Sequence, residues 1–106
     1  MHFELTIMRV LDLESIRIKL NSIKGELRKN FSVKKIGIFG SYSRGDQGKA
    51  SDIDILVEFY NEPSFFKFIK LENRLTDALK VKVDLVMKDS LKPNIGRQIL
   101  NEVIYV

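Results

Sequence analysis

The chain has 106 residues, with 18 Lys and Arg against 14 Asp and Glu, a formal net charge of +4, and no cysteine. This length suits one domain with one modest core, so we expect a single domain over residues 1–106. Without cysteine, disulfides and thiolate metal sites are excluded. No apolar run approaches the roughly 20 residues of a membrane span, and the N-terminus lacks the basic-then-apolar order of a signal peptide, so we expect a cytoplasmic protein.

The first predicted element is an amphipathic helix over about residues 12–29, with Asp12 as its N-cap. Apolar residues recur three and four apart along it, at Leu13, Ile16, Leu20, Ile23 and Leu27. Its basic residues are typical of a solvated helix face. Because few aromatic side chains accompany them, we do not expect nucleic acid as a direct substrate. Residues 1–11 carry no pattern that assigns them a structure or a role.

Two strands and a connecting loop are predicted next. The sequence IGIF indicates a short strand that ends at Gly40, and residues 41–51 form a polar loop that can open with a helical turn. Residues 53–59 alternate as a second strand. Ile53, Ile55, Val57 and Phe59 share one face, while Asp52, Asp54, Leu56 and Glu58 share the other.

The rest of the chain predicts a helix, a strand and a second helix. A turn at residues 61–64 opens a helix whose apolar stripe is Phe65, Phe68, Leu71, Leu75 and Leu79. KVKVDLVM predicts a third strand with Asp84 on its polar face. Lys92-Pro93 starts a last helix, with Ile95, Ile99 and Val103 on its apolar side, before an extended tail. The fold class is therefore α+β, with a mixed or antiparallel sheet of three or more strands packed against about three helices.

Two aromatic features have alternative interpretations. Phe65, Phe66 and Phe68 are expected to pack in the core, but Phe66 lies off the stripe and can instead mark a partner surface. Tyr42 lies in the predicted loop. It can stack on a bound base, or it can be a loop residue with no role in binding.

Asp52 and Asp54 stand at the start of a strand, where apolar residues would be usual. Being two apart, their side chains leave the same face of the sheet. Two carboxylates this close repel one another, and burying them without a partner costs several kcal/mol. Lysine or arginine could lie between them, but a pair of oxygen ligands suits Mg²⁺ better. Asp84 adds a third carboxylate if its strand lies beside the second, with Asp84 level with Asp54.

The Gly40-Ser41 turn is the complementary half of the pattern. Gly40 lets the backbone approach an anion closely, and amides at a strand exit can cradle a phosphate. Ser41 adds a hydroxyl donor, and Arg44 can reach a phosphate oxygen. Metals between phosphate and carboxylates, with donors that neutralise developing charge, are what nucleotidyl transfer requires.

The combined pattern resembles a known family. FGSYSRG, then SDIDILVEF and later VDLV, is similar to the signature of the DNA polymerase β-type nucleotidyltransferase superfamily, and in its fuller form to the minimal nucleotidyltransferases (MNT family). The resemblance implies that Gly40, Ser41 and Arg44 hold the phosphates of ATP.

By the same resemblance, Asp52, Asp54 and Asp84 would be the catalytic carboxylates and would bind two Mg²⁺ ions. Asp84 would also lie nearest the attacking hydroxyl and accept its proton.

The resemblance also implies a partner. Minimal nucleotidyltransferases are commonly paired with a helical HEPN ribonuclease toxin, and act as the antitoxin by moving AMP from ATP onto a tyrosine of that toxin, in a hetero-oligomer. Two alternatives stay open. One is a non-catalytic nucleotide-binding module that neutralises its partner by occlusion. The other is a nucleotidyltransferase that acts on a small molecule or an RNA end, for which a further substrate-binding segment would be expected.

Overall fold

The computed structural model describes residues 12–46 and 52–106. Its elements are α1 (Leu13–Phe31), β1 (Val33–Phe39), α2 (Ser41–Arg44), β2 (Ile53–Phe59), α3 (Phe65–Leu79), β3 (Val83–Met87), a 3₁₀ turn (Lys88–Ser90), α4 (Pro93–Glu102) and β4 (Ile104–Tyr105). Residues 1–11 and the end of the predicted polar loop, residues 47–51, lie outside the described residues.

The four described strands form one mixed sheet in the order β3-β2-β1-β4. β1 runs antiparallel to both β2 and β4, while β2 and β3 are parallel. A parallel pair needs a crossover connection, and α3 provides it between β2 and β3. The predicted α+β class and mixed sheet are confirmed.

α1 shows how local sequence sets an element. The Asp12 carboxylate accepts a hydrogen bond from the Ser15 amide at 2.8 Å, which satisfies a first-turn donor. The helix ends at Phe31, and the left-handed backbone of its C-cap, Ser32 (φ 60°), turns the chain into β1. All four buried residues of the helix belong to the predicted apolar stripe.

The sheet has a fully covered face and a partly covered face. α1 and α3 pack on the first, and their apolar stripes join Ile36, Ile38 and Ile55 in the main core. On the second face, Ile99 of α4 packs with Phe39 and Leu56 in a smaller cluster. Asp54 leaves β2 on this second face, two residues from Leu56. The carboxylates therefore lie beside the smaller cluster.

Two apolar stripes are shorter than predicted. Phe68 packs against the main core, but Phe65 and Phe66 are 73% and 81% exposed. In α4, Ile99 is buried while Ile95 is 56% exposed. Periodicity identifies the inward face of a helix but not how many of its turns the rest of the molecule covers.

Within the described ranges, no helix has the length and apolar character needed to cross a bilayer.

Candidate active site

The strand register brings the predicted carboxylates to one end of the sheet. Asp54 pairs with Asp84 across the parallel β2–β3 ladder and lies opposite Phe39, the last residue of β1. Neighbouring strands are about 4.8 Å apart, so the two aspartates start level with each other and on the same face. The condition stated for Asp84, a strand beside β2 with Asp84 level with Asp54, is therefore met.

Gly40 lies against Asp54, and only glycine fits this position. Its backbone has φ 74° and ψ −151°, a region that residues with a side chain rarely adopt. A Cβ atom at residue 40 would also collide with the Asp54 carboxylate. The space beside Gly40 is taken by the Asp54 carboxylate, and the contact of the Gly40 backbone with a phosphate stays a prediction.

Beyond Gly40 the chain makes one helical turn, α2, as predicted for the start of the loop. The Gly40 carbonyl accepts hydrogen bonds from the amides of Ser43 and Arg44 and from the Ser43 hydroxyl. Tyr42 is buried in the main core, with only 4% of its surface exposed. Burial, and then the charge of Asp52, raises the pKa of its hydroxyl. Its ring is not available to stack on a base, so that interpretation is wrong.

Glu102, which the sequence patterns did not single out, reaches the same turn from the end of α4. Its carboxylate accepts a hydrogen bond from the Gly40 amide at 2.9 Å and lies 3.1 Å from the Arg44 guanidinium. Arg44 also pairs with Asp46 at 3.3 Å. The one available signal was an acid in the last turn of a helix, where the helix dipole disfavours negative charge.

The surroundings of Asp54 disfavour its charged form. Burial raises the pKa of Asp54, the charges of Asp84, Asp52 and Glu102 raise it further, and Arg44 opposes them. Three carboxylates thus act on the Asp54 side chain beside the Gly40 turn. A cation placed among them would relieve both the repulsion and the cost of burial.

Asp52 lies at the outer side of this group. It is exposed, and its carboxylate is 3.9 Å from the ammonium of Lys82, the residue directly before β3. In residues 12–46 and 52–106, no three His, Cys, Asp or Glu side chains are grouped so that they could hold one metal ion. Mutual repulsion opposes such a grouping unless a cation lies between the carboxylates.

The donor set nevertheless fits a hard divalent cation. The side chains around Asp54 offer carboxylate oxygens, and Asp54 and Asp84 rise from adjacent, level backbone positions. Mg²⁺ uses one or two protein carboxylates together with phosphate oxygens, so a preformed cage of three side chains is not required.

Comparison with known families gives a match over most of the chain. Residues 20–106 match the nucleotidyltransferase domain family. These residues include all six predicted site positions.

Known proteins with similar sequences and structures agree with this match. The protein adenylyltransferase MntA of Thermococcus cleftensis is 52% identical over 99 residues, which cover 93% of this chain and 100% of that protein. A toxin–antitoxin crystal structure with AMP-PNP contains a chain that is 34% identical, with a TM-score of 0.69, over 80% of this chain and 69% of the other.

A third similarity is to a complex of the tri-AMPylated Shewanella oneidensis HEPN toxin with its MNT antitoxin. The matching chain is 28% identical, with a TM-score of 0.64, over 85% of this chain and 70% of the other.

Proposed function

Because the chain belongs to the nucleotidyltransferase-domain family, we propose that it transfers AMP from ATP to a hydroxyl group of a partner protein. The observation that carries the proposal is the strand register, which sets Asp54 level with Asp84 beside the Gly40 turn. The relative that matches over its whole length is named a protein adenylyltransferase. We propose one domain over residues 1–106, and the family match covers residues 20–106 of it.

Gly40, Ser41 and Arg44 are proposed to bind the triphosphate. A backbone amide, a hydroxyl and a guanidinium are the donors that phosphate oxygens accept from. Arg44 is half exposed on α2, beside Gly40, so its side chain can turn toward a ligand. AMP-PNP, present in the similar toxin–antitoxin structure, has the adenine and the triphosphate length of ATP.

Asp52, Asp54 and Asp84 are proposed as the catalytic carboxylates and the ligands of two Mg²⁺ ions. When bound, such ions would favour deprotonation of the attacking hydroxyl and neutralise the charge of the leaving pyrophosphate. In the transfer, the acceptor oxygen forms a bond to the α-phosphorus, the bond from that phosphorus to pyrophosphate breaks, and the hydroxyl proton passes to Asp84. This role suits Asp84 because it is exposed on β3, an edge strand of the described sheet, where an acceptor can approach from outside.

The proposed acceptor is a tyrosine of a helical HEPN toxin, bound to this protein in a hetero-oligomer in the cytoplasm. The similar complex with a tri-AMPylated HEPN toxin supports this choice. Each AMP adds a phosphodiester charge and a bulky nucleoside, which would interfere with RNA binding at a ribonuclease site.

A second candidate is a module that binds its partner without modifying it. The observation in its favour is that Glu102 already engages both the Gly40 amide and Arg44. Neutralisation of the partner would then depend on contact alone and would survive loss of Asp54.

The experiment is to incubate the protein with α-labelled ATP, MgCl₂ and the protein encoded by the neighbouring gene. We expect label on that partner with the wild-type protein and none with Asp54→Asn. Glu62→Gln is the matched control because it removes one exposed carboxylate from the turn before α3, at the far end of β2. A partner that stays unlabelled but is neutralised would favour the non-catalytic module.

A further inference from the structure

The Glu102 carboxylate has no part in the proposed transfer, yet it contacts two of the three proposed phosphate-binding residues. Its Oε1 accepts from the Gly40 amide at 2.9 Å, and its Oε2 lies 3.1 Å from Arg44 Nη1. Its side chain is 21% exposed, so water screens these contacts less than it would on an open surface.

The fold holds Glu102 in this position from both sides. It ends α4, whose Ile99 is packed in the smaller core cluster. Directly after it, β4 pairs with Gly37 and Ile38 of β1. A Cβ at Gly37 would meet Val103 at 2.6 Å, so the backbone beside Glu102 is pressed closely onto the sheet. The carboxylate is therefore delivered to the Gly40 turn by packing and strand pairing.

The two donors that Glu102 engages are of the kind that binds phosphate. A backbone amide and a guanidinium donate equally well to a carboxylate and to a phosphoryl oxygen. One amide hydrogen cannot serve both anions with good geometry. A triphosphate that binds the Gly40 amide must therefore displace the Glu102 carboxylate from it, and the two anions then compete for Arg44 as well.

Building on the proposed nucleotide site, we infer that Glu102 is an internal anion that occupies the phosphate donors and is exchanged for the triphosphate of the substrate. It is a positioning residue, which acts through Gly40 and Arg44. It keeps the Gly40 amide hydrogen-bonded and the Arg44 side chain beside the turn. It also makes nucleotide binding weaker than these donors alone would allow, which favours release after each transfer.

The test replaces Glu102 with glutamine, which keeps an acceptor for the Gly40 amide but removes the charge that competes with phosphate. Binding of inorganic tripolyphosphate with MgCl₂ is measured by calorimetry. For Glu102→Gln we expect the dissociation constant to fall about twofold to fivefold, the upper part of the range for a partly exposed charge pair. Glu62→Gln, with the same change in net charge, should bind as the wild type does.

Two further measurements separate this role from a structural one. In NMR spectra, the Gly40 amide and Arg44 side-chain resonances of the wild type should shift on saturation with tripolyphosphate, because both donors change partner. Glu102→Ala should also bind tripolyphosphate more tightly. Equal or weaker binding by both Glu102 variants, or unchanged Gly40 and Arg44 resonances, would overturn the inference.

The outcome for the transfer reaction is independent of this one. Tighter tripolyphosphate binding without AMP transfer to the partner would leave the role of Glu102 intact and overturn the proposed function. If the wild type transfers AMP and Glu102→Gln has the same KM for ATP, the proposed function stands and the role inferred for Glu102 is overturned. If both are right, the variant has a lower KM for ATP and no gain in kcat.

Discussion

At the scale of single residues, the site depends on Gly40. Its backbone lies where a side chain is strained, and the Asp54 carboxylate fills the space that a Cβ would need. Gly45 also has a positive φ (77°) but faces open space. Substitutions at both positions would strain the backbone, but only one at Gly40 would also displace a carboxylate. Comparing the two therefore distinguishes the two effects.

We expect Gly40→Ala to lower the free energy of unfolding by about 3 kcal/mol or more, because backbone strain adds to displacement of Asp54 and of the Glu102 hydrogen bond. Gly45→Ala should cost only about 1–2 kcal/mol, the left-handed penalty alone. Urea unfolding monitored by circular dichroism measures both values. Equal losses would mean that the contact with Asp54 contributes nothing.

Asp54 carries the second prediction at this scale. Its pKa is raised above 3.8 by burial and then by neighbouring carboxylates. The folded protein thus takes up this proton more readily than the unfolded chain, and stability falls as the pH rises from 3.8 through the folded pKa. In buffer with EDTA, Asp54→Asn should lack this fall and melt at a higher temperature than the wild type at pH 7. A lower melting temperature would mean that Asp54 serves the fold.

At the scale of elements, α3 holds α1 and the sheet edge in place. Arg74 of α3 donates two hydrogen bonds to the Glu26 carboxylate of α1, from Nε at 2.6 Å and from Nη2 at 2.8 Å. Thr76 and Glu72 accept hydrogen bonds from the amides of Val83 and Leu85 on the outer edge of β3. These side chains occupy amides that an edge strand would otherwise offer to another chain.

The Arg74–Glu26 pair predicts a dependence on pH. The hydrogen bond from Arg74 lowers the pKa of Glu26 below 4.5. The pair therefore contributes stability above pH 4.5, and this contribution is lost as the pH falls through the folded pKa. Glu26→Gln should destabilise the protein at pH 7 and show a smaller loss on acidification below pH 4.5. Parallel pH profiles for this variant and the wild type would contradict the assignment, and Glu62→Gln is again the control.

Within α1, Gly25 offers a stabilising change. It is an exposed helical residue, and a Cβ added there would have no other atom within 4 Å. Gly25→Ala should raise the free energy of unfolding by about 0.5–1 kcal/mol, because alanine loses less backbone entropy on folding. Urea unfolding measures this value. A loss of stability would mean that the added methyl group disturbs a contact on the exposed side of α1.

At the scale of the whole molecule, the site lies between β1, β2, β3, α2 and α4, so ligand binding there should stabilise the entire fold. With Mg²⁺ and ATP at ten times the dissociation constant, we expect a gain of about 1.4 kcal/mol, or roughly 5–10 °C in melting temperature. Asp84→Asn should lose most of this gain, and Glu62→Gln should keep it. The same gain in melting temperature with ATP and EDTA would show that ATP binding does not need a divalent cation at the carboxylates.

Whether a feature of this molecule can be predicted from its sequence depends on how far apart in the chain the residues that determine it lie. Helix caps, apolar stripes and strand alternation involve neighbours in the chain, and they predicted the order of elements and the face of β2 that carries Asp54. The spacing from Gly40-Ser41 to these aspartates also identified the family. What remained open was how far α3 and α4 are covered, so Phe65 and Ile95 were wrongly placed in the core.

Only the tertiary structure decided which distant groups meet. Asp84 is level with Asp54 because β3 joins β2 in a parallel register that no local pattern specifies. Glu102 reaches Gly40, 62 residues away in the chain, because α4 and β4 pack back onto β1. Side-chain periodicity is a property of one element, whereas register and packing depend on the combined free energy of all of them.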